Sequence, residues 1–213
     1  MTEEYRQRMY DVLELYARPY RKHEPVICID EKSKQLIRDS RQPLPMKPGA
    51  PAKYDYEYVR AGTCNVFVAV EPRGGRRTVE VTERRTKPEF VGFVRRLLER
   101  TYASAHKVHL VLDNLNTHFR CCFEEVLGLS AASALLRRVE FHHTPKHASW
   151  LNMAEIEIGI LQRQCLGRRP MDRVSVAREL DAWQRRCNAE RRGIDWTFTR
   201  RDADRRLARH YVS

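Results

Sequence analysis

Two short apolar segments, each followed at once by an aspartate, constrain this sequence more than any other feature. Residues 26–29 (VICI) precede Asp30, and residues 108–112 (VHLVL) precede Asp113. Near-continuous apolar runs of this kind are typical of strands that are covered on both faces of a sheet. In open α/β sheets, functional side chains gather beyond the carboxyl ends of such strands. We therefore expect two central strands, each ending on an aspartate, at one edge of a sheet.

The rest of the sequence places these strands in an α/β domain. Segments with helical spacing of apolar residues lie at residues 1–20, 87–100, 119–138 (in two pieces), 151–166 and 175–190. NVFVAVEP and RRTVEVTER predict a hairpin around Gly74 and Gly75, and VEFHHTP predicts a fifth strand. Residues 41–63 contain four prolines and predict a long extended loop. This order of elements predicts a mixed five-stranded sheet flanked by helices.

A third acidic residue is expected from the helix at residues 151–166. Glu155 and Glu157 both lie early in this helix, which begins shortly after the strand VEFHHTP. At about 100° per residue, the two glutamates flank the apolar stripe on opposite sides and at similar distances from its centre. Helical periodicity therefore does not choose between them.

Three carboxylates at one place indicate a metal-dependent reaction. Such groups repel one another strongly unless cations neutralise them. Mg²⁺ prefers carboxylate oxygens, keeps several waters and completes its shell with substrate phosphate, and two metal ions serve phosphodiester cleavage. The net charge of +12, from 40 Lys and Arg against 28 Asp and Glu, attracts polyanions. The sequence thus favours a nuclease-type reaction on nucleic acid.

Other classes of protein are disfavoured by the composition. No apolar run approaches the ~18–20 residues that span a bilayer, and the first residues carry no apolar signal segment. We therefore expect a cytoplasmic protein without a membrane partner. None of the six cysteines forms a C-x-x-C motif, and no Cys/His set has zinc spacing. The sequence alone predicts neither a zinc site nor a disulfide framework.

Three motifs together resemble one known family. They are IDEK at residues 29–32, DNLNTH at residues 113–118 and TPKHASWLNMAE at residues 144–155. This set strongly resembles the bacterial branch of the mariner-like DDE transposases, the insertion-sequence six-thirty family. The resemblance extends over nearly the whole chain, including PGAPAKYDYEY and the closing WTFTRRDA.

The resemblance implies an RNase H-like fold with Asp30, Asp113 and Glu155 as catalytic residues and metal ligands. It therefore selects Glu155 over Glu157. The expected cofactors are two Mg²⁺ ions, with Mn²⁺ as the alternative. The expected reaction is cleavage of DNA at element ends followed by strand transfer. The implied partners are transposon-end and target DNA, together with a second copy of the chain or a full-length transposase, at the bacterial nucleoid.

The resemblance also divides the chain and leaves a rival function open. It predicts an N-terminal helix and linker at residues 1–23, an RNase H-like catalytic domain at residues 24–195 and a basic tail at residues 196–213. Members of the family usually carry N-terminal helix-turn-helix modules, and the sequence is expected to represent the catalytic half. Rival interpretations are a ribonuclease or resolvase on the same fold, or a non-catalytic DNA-binding remnant of a decayed insertion element.

Several basic side chains are candidates for DNA contacts. They are His118, Lys146, His147, Arg168 and Arg169. His118 is equally compatible with orienting a water or anchoring a loop. His142, His143 and His147 are interpreted as DNA contacts or loop hydrogen bonds, with the structural role favoured, because hard Mg²⁺ does not prefer imidazole. Without metal, both Asp30→Asn and Asp113→Asn are expected to be at least as stable as the parent, because each removes a clustered negative charge.

Overall fold

The structure is a computed structural model that describes residues 2–41, 45–51, 56–167 and 172–207. The strands are β1 (Val26–Asp39), β2 (Tyr58–Glu71), β3 (Arg76–Thr82), β4 (Val108–Leu112) and β5 (Val139–His143). The helices are α1 (Glu3–Ala17), α2 (Lys87–Arg96), α3 (Arg120–Leu127), α4 (Leu129–Leu136), α5 (Met153–Leu161), α6 (Arg173–Glu190) and α7 (Arg200–Leu207). A 3₁₀ turn (Ser149–Leu151) precedes α5, and π-helical turns follow α2 (Leu97–Thr101) and α5 (Gln162–Leu166).

The five strands form one mixed sheet in the order β3-β2-β1-β4-β5. The hairpin strands β2 and β3 pair antiparallel, and β2 pairs antiparallel with β1. On the other side, β1, β4 and β5 run parallel. The predicted mixed five-stranded sheet flanked by helices is therefore confirmed, and the two strands that precede the aspartates are neighbours at its centre.

The first strand does not stop at Asp30, as the sequence predicted, but continues to Asp39. Beyond the apolar run, β1 stays paired with the early part of β2, from Ser33 opposite Asn65 to Asp39 opposite Tyr58. The predicted loop was correspondingly too long, because its last residues already belong to β2. Parallel pairing with β4, however, ends two residues before Asp30. Asp30 thus still lies where the parallel part of the sheet ends.

The two faces of the sheet carry separate apolar cores. Ile27 and Ile29 of β1 pack with Leu110 and Leu112 of β4 beneath α2, α3 and α4. On the opposite face, Cys28 of β1 and Val111 of β4 pack against α1 and the start of α5. Full burial of each aliphatic side chain contributes about 1.5–3 kcal/mol. The alternation along β1 and β4 therefore decides on which face residues 30 and 113 emerge.

Helix α6 covers the edge strand β3 with side-chain amides. The backbone N–H of Arg77 donates to Asn188 Oδ1 at 2.7 Å, and Asn188 Nδ2 donates back to the Arg77 carbonyl at 2.8 Å. The N–H of Val79 donates to Gln184 Oε1 at 2.6 Å. These contacts occupy groups that an open edge would offer to another chain.

Helices α1 and α7 pack together on one face of the sheet. Ala203 of α7 is fully buried in the same apolar cluster as Met9 and Val12 of α1. The ring of Trp196 lies 5.3 Å from that of Tyr16. The proposed division at residues 1–23, 24–195 and 196–213 stays a prediction. Among the described residues, no helix has the length and apolar character that crossing a membrane requires.

Candidate active site

Asp30 and Asp113 lie side by side on the two central parallel strands. The register pairs Cys28 of β1 with Val111 of β4, and each aspartate follows two residues later in the sequence. Because side chains alternate between faces, both carboxylates project from the face that carries Cys28 and Val111. Neighbouring strands are about 4.8 Å apart. The sheet itself therefore brings the two acidic groups together.

Glu155 reaches the same cleft from the first turn of α5. The side chain of Asn152 caps this helix, because its Oδ1 accepts from the N–H of Ala154 at 3.1 Å. Its Nδ2 donates to the carbonyl oxygen of Ile29 at 2.9 Å, and Asn152 is fully buried. One side chain thereby joins the start of α5 to β1 one residue before Asp30. This anchor explains why an exposed glutamate of α5 stands over the strand ends.

Glu157 has a different place, which periodicity did not reveal. Its carboxylate accepts from Nε and Nη2 of Arg77 at 3.0 and 3.2 Å. Both side chains are buried, with 1% of Glu157 and 7% of Arg77 exposed. The two-pronged ion pair joins α5 to β3. Glu155 alone of the two glutamates lines the cleft with Asp30 and Asp113.

The electrostatics of Asp30 reflect its neighbours. Burial raises the pKa of Asp30 to about 7, and the negative charges of Glu31, Asp113 and Glu155 add to this effect. The N–H of Glu31, which donates to Asp30 Oδ1 at 2.8 Å, only partly opposes it. Among the described residues, no lysine or arginine forms an ion pair with Asp30, Asp113 or Glu155. Asp30 and Glu155 therefore face the cleft without an ion-paired lysine or arginine among the described residues.

Asp113 is held by donors that Asp30 lacks. Its Oδ1 accepts from Nδ1 of the buried His118 at 2.6 Å and from the N–H of Leu115 at 3.0 Å. Burial alone would raise the pKa of Asp113, but these donors and the charge of His118 outweigh it and lower the pKa. Although burial disfavours the charged imidazole, the carboxylates of Asp113 and Glu31 raise the pKa of His118 to about 9. Glu31 Oε2 lies 3.2 Å from His118 Nε2, outside hydrogen-bond alignment.

The cleft is open and has a volume of about 500 Å³. Besides the three carboxylates, the exposed cations Lys32 and Arg85 and the side chain of Gln162 line it. Sequence reasoning had not assigned these three residues a role. Lys32 stands in the IDEK motif, but no sequence signal connects Arg85, which follows the hairpin, with residues so distant along the chain. Their positions put positive charge beside the acidic cluster.

The structure corrects one predicted DNA contact and leaves others as predictions. His118 has no exposed surface, so it does not face DNA; it stands between two carboxylates because the loop after β4 folds inward. Lys146 and His147 are exposed on the loop after β5, where His147 has a φ of 62°. Arg168 and Arg169 lie outside the described residues.

The neighbouring histidines of β5 are built into the fold. The ring of His143 stacks 6.3 Å from that of Phe141, and its Nδ1 lies 3.3 Å from the carbonyl oxygen of Asp113. His142 is buried, and its Nδ1 donates to Asp11 at 2.6 Å. Both side chains thus make structural contacts and do not enter the acidic cleft.

The fold is similar to that of mariner transposases of known structure. The catalytic domain of Mos1 mariner transposase matches 91% of this chain and 96% of its own, with 14% identity and a TM-score of 0.55. A Mos1 mariner paired end complex with Mn matches 90% of this chain with 17% identity and a TM-score of 0.56. The Mos1 Strand Transfer Complex matches with 16% identity and a TM-score of 0.55. This likeness confirms the RNase H-like fold.

The chain spans 60% and 62% of the Mos1 chains in those two complexes. No curated protein matches it in sequence. The family described as DDE superfamily endonuclease matches residues 25–176, which include both strand-end aspartates, Glu155 and all five strands. Since this match covers more than two thirds of the sequence, the chain belongs to the DDE superfamily endonucleases.

Proposed function

We propose that this chain is the catalytic domain of a DNA transposase that cleaves DNA and joins the freed 3′ end to a target. The observation that carries the proposal is the convergence of Asp30, Asp113 and Glu155 on one cleft. Two neighbouring strands and one anchored helix supply these groups from distant parts of the sequence. A structural role would provide each carboxylate with protein donors, and Asp30 and Glu155 have no lysine or arginine partner among the described residues.

The donor set fits divalent metal ions. Three carboxylates in one open cleft match the hard oxygen ligands that Mg²⁺ prefers, with room left for waters and phosphate. Burial and the neighbouring carboxylates raise the pKa of Asp30 to about 7, and a bound cation would favour its charged form. We propose Asp30, Asp113 and Glu155 as ligands of two Mg²⁺ ions, with Mn²⁺ as the alternative. When bound, such ions activate the attacking oxygen and stabilise the leaving oxygen of a phosphodiester.

The residues around the carboxylates have distinct tasks in this proposal. His118 and the N–H of Leu115 fix Asp113, so that this carboxylate is charged and oriented before any substrate arrives. Lys32 and Arg85 at the side of the cleft attract the phosphate backbone. The cleft excludes little water, which suits a reaction whose nucleophile is water in the first step.

DNA and a second protein copy are the proposed partners. The Mos1 structures are paired end and strand transfer complexes, and the net charge of +12 suits a polyanion. We expect phosphate contacts from exposed Arg185, Arg186, Arg205 and Arg206. Such contacts position DNA without reading its sequence. Binding by the described residues should therefore be weak, with little sequence preference, and should fall steeply with salt.

A nicking and joining assay tests the proposed function. Supercoiled plasmid is incubated with the protein in Mg²⁺, Mn²⁺ or EDTA, and a labelled duplex with free 3′ ends is added to score joining. We expect metal-dependent nicking that Asp30→Asn abolishes and that Glu190→Gln, at the exposed end of α6, leaves unchanged. Nicking in EDTA, or nicking that survives Asp30→Asn, would refute the assignment. Intact DNA binding without nicking in either metal would identify a non-catalytic remnant.

A further inference from the structure

A cluster of histidine and carboxylate side chains lies on β4 and β5, outside the acidic cleft. His109 is the second residue of β4 and pairs in register with Glu140 of β5. His142 follows on β5, two residues after Glu140, so the three side chains share one face of the sheet. That face is the one on which α1 packs. His109 stands four residues before Asp113, roughly 13 Å along the strand.

The ligand atoms of this cluster point at one another. His109 Nδ1 lies 2.9 Å from His142 Nε2. The carboxylate oxygens of Glu140 lie 3.7 Å from His109 Nδ1 and 3.8 Å from His142 Nε2. One nitrogen or oxygen from each of the three residues falls within 4.8 Å of the others. Both histidines are buried, whereas Glu140 is partly exposed.

Helix α1 fixes the tautomer of His142. Its Nδ1 lies 2.6 Å from Asp11 Oδ2, and this hydrogen bond is the largest cause of the lowered pKa of Asp11. A charged Asp11 accepts from Nδ1–H, which leaves the lone pair of Nε2 directed at His109 and Glu140. A carboxylate that orients a histidine through the nitrogen opposite to the ligating one is a recurring feature of metal sites.

We propose that His109, Glu140 and His142 bind one Zn²⁺ ion, with Asp11 as the residue that orients His142. Two imidazoles and one carboxylate are a donor set that zinc accepts, with water in the fourth position. Imidazole does not suit Mg²⁺, so this site and the acidic cleft select different ions. Burial and the neighbouring His142 lower the pKa of His109 to about 4. Its imidazole is therefore neutral at pH 7, as ligation requires.

The surroundings allow an ion to enter. Glu140 and Lys107 line an open surface cleft beside β5. Lys107 forms an ion pair with Oε2 of Glu140, and Oε1 is the oxygen nearer His142. Lys107 is exposed and turns away at small cost, because surface ion pairs contribute little to stability. Zn²⁺ would then bind two adjacent strands directly and α1 through Asp11, so it would stabilise the docking of α1 on the sheet.

Calorimetric titration of the full chain with zinc sulfate tests the site. The protein is first stripped with EDTA, and excess Mg²⁺ is present so that the acidic cleft does not take up zinc. We expect one Zn²⁺ per chain. His142→Asn should abolish this binding, and Asp11→Asn, at a half-exposed position, should weaken it 10–100-fold. His147→Asn is the matched control, because it removes an exposed histidine outside the cluster, at a φ of 62° that asparagine tolerates.

Two further measurements keep the test independent of folding. Circular dichroism establishes whether His142→Asn is folded; if it is not, Asp11→Asn and Glu140→Gln carry the test. Zn²⁺ at 100 times its Kd should raise the Tm of the parent by ~5–10 °C and should not raise that of His142→Asn. Cobalt should give the visible absorption of a tetrahedral ion in the parent alone. Equal zinc affinity in the parent and Asp11→Asn would overturn the proposal. So would a parent that binds zinc no more tightly than His142→Asn or Glu140→Gln does.

Discussion

Replacement of Asp30 by asparagine should stabilise the metal-free protein, by an amount that grows as the pH rises from 4 to 7 and stays constant above pH 7. Burial and three nearby carboxylates raise the pKa of Asp30 from 3.8 to about 7. The folded protein therefore binds this proton more tightly than the unfolded chain does. Between pH 4 and pH 7 the unfolded chain loses the proton first, so the stability of the parent falls as the pH rises. At 1.36 kcal/mol per pKa unit, the loss is up to about 4 kcal/mol.

Asp30→Asn lacks this loss and keeps the acceptor for the N–H of Glu31. Urea unfolding in EDTA should give equal midpoints for parent and variant at pH 4. At pH 8 the midpoint of the variant should be roughly 1–2 M higher, for an m-value of about 2–3 kcal/mol/M. Mg²⁺ should reverse the order at pH 8, because it stabilises the parent alone. A variant that is less stable at pH 8 in EDTA, or a difference that does not change with pH, would refute the reasoning.

Asp113→Asn is the matched control, and the structure reverses the expectation drawn from its sequence. The sequence alone suggested that both asparagine variants would be stable without metal. Asp113, however, accepts from His118 and Leu115. Its removal leaves the buried imidazolium without its closest counter-charge, at a cost of about 1–3 kcal/mol. Asp113→Asn should therefore be less stable than the parent in EDTA at pH 7, opposite in sign to Asp30→Asn.

Three other substitutions test residues that stabilise the fold or position the acidic side chains. Glu157→Gln breaks a buried ion pair and should lower the free energy of unfolding by about 3–5 kcal/mol, measured by urea unfolding; a loss under 1 kcal/mol would mean that Arg77 finds another partner. Asn152→Ala removes a helix cap and should cost about 1–2 kcal/mol, with a larger fractional loss of nicking than of stability; equal losses would contradict its positioning role. Because the folded pKa of His118 is about 9, above the usual ~6.5, its contribution to stability is complete below pH 6.5 and is lost as the pH rises through 9. With His118→Asn, the urea midpoint should change less between pH 6 and pH 10 than it does in the parent. An unchanged pH dependence would exclude the interaction of His118 with Asp113 as its cause.

Local patterns in the sequence determined the element order and the two central acidic residues. The runs VICI and VHLVL are almost continuously apolar, and such runs are typical of strands covered by helices on both sides. The alternation of strands and amphipathic helices then predicted the mixed sheet. These features depend on neighbours in sequence, which is why a single sequence displays them. The motif set added the choice of Glu155, through resemblance to a family.

Only the tertiary structure decided which partners the polar side chains have. Glu155 and Glu157 are equivalent by periodicity. The hydrogen bond from Asn152 to the Ile29 carbonyl places the start of α5 beside Asp30, and the ion pair with Arg77 holds Glu157 outside the cleft. The extension of β1 to Asp39 likewise depends on β2, because its polar residues carry no strand signal of their own. His109 and His142 come together because two strands lie in one register. Contacts between distant segments depend on register and helix docking, and these are fixed by the packing of the whole core, which no local pattern encodes.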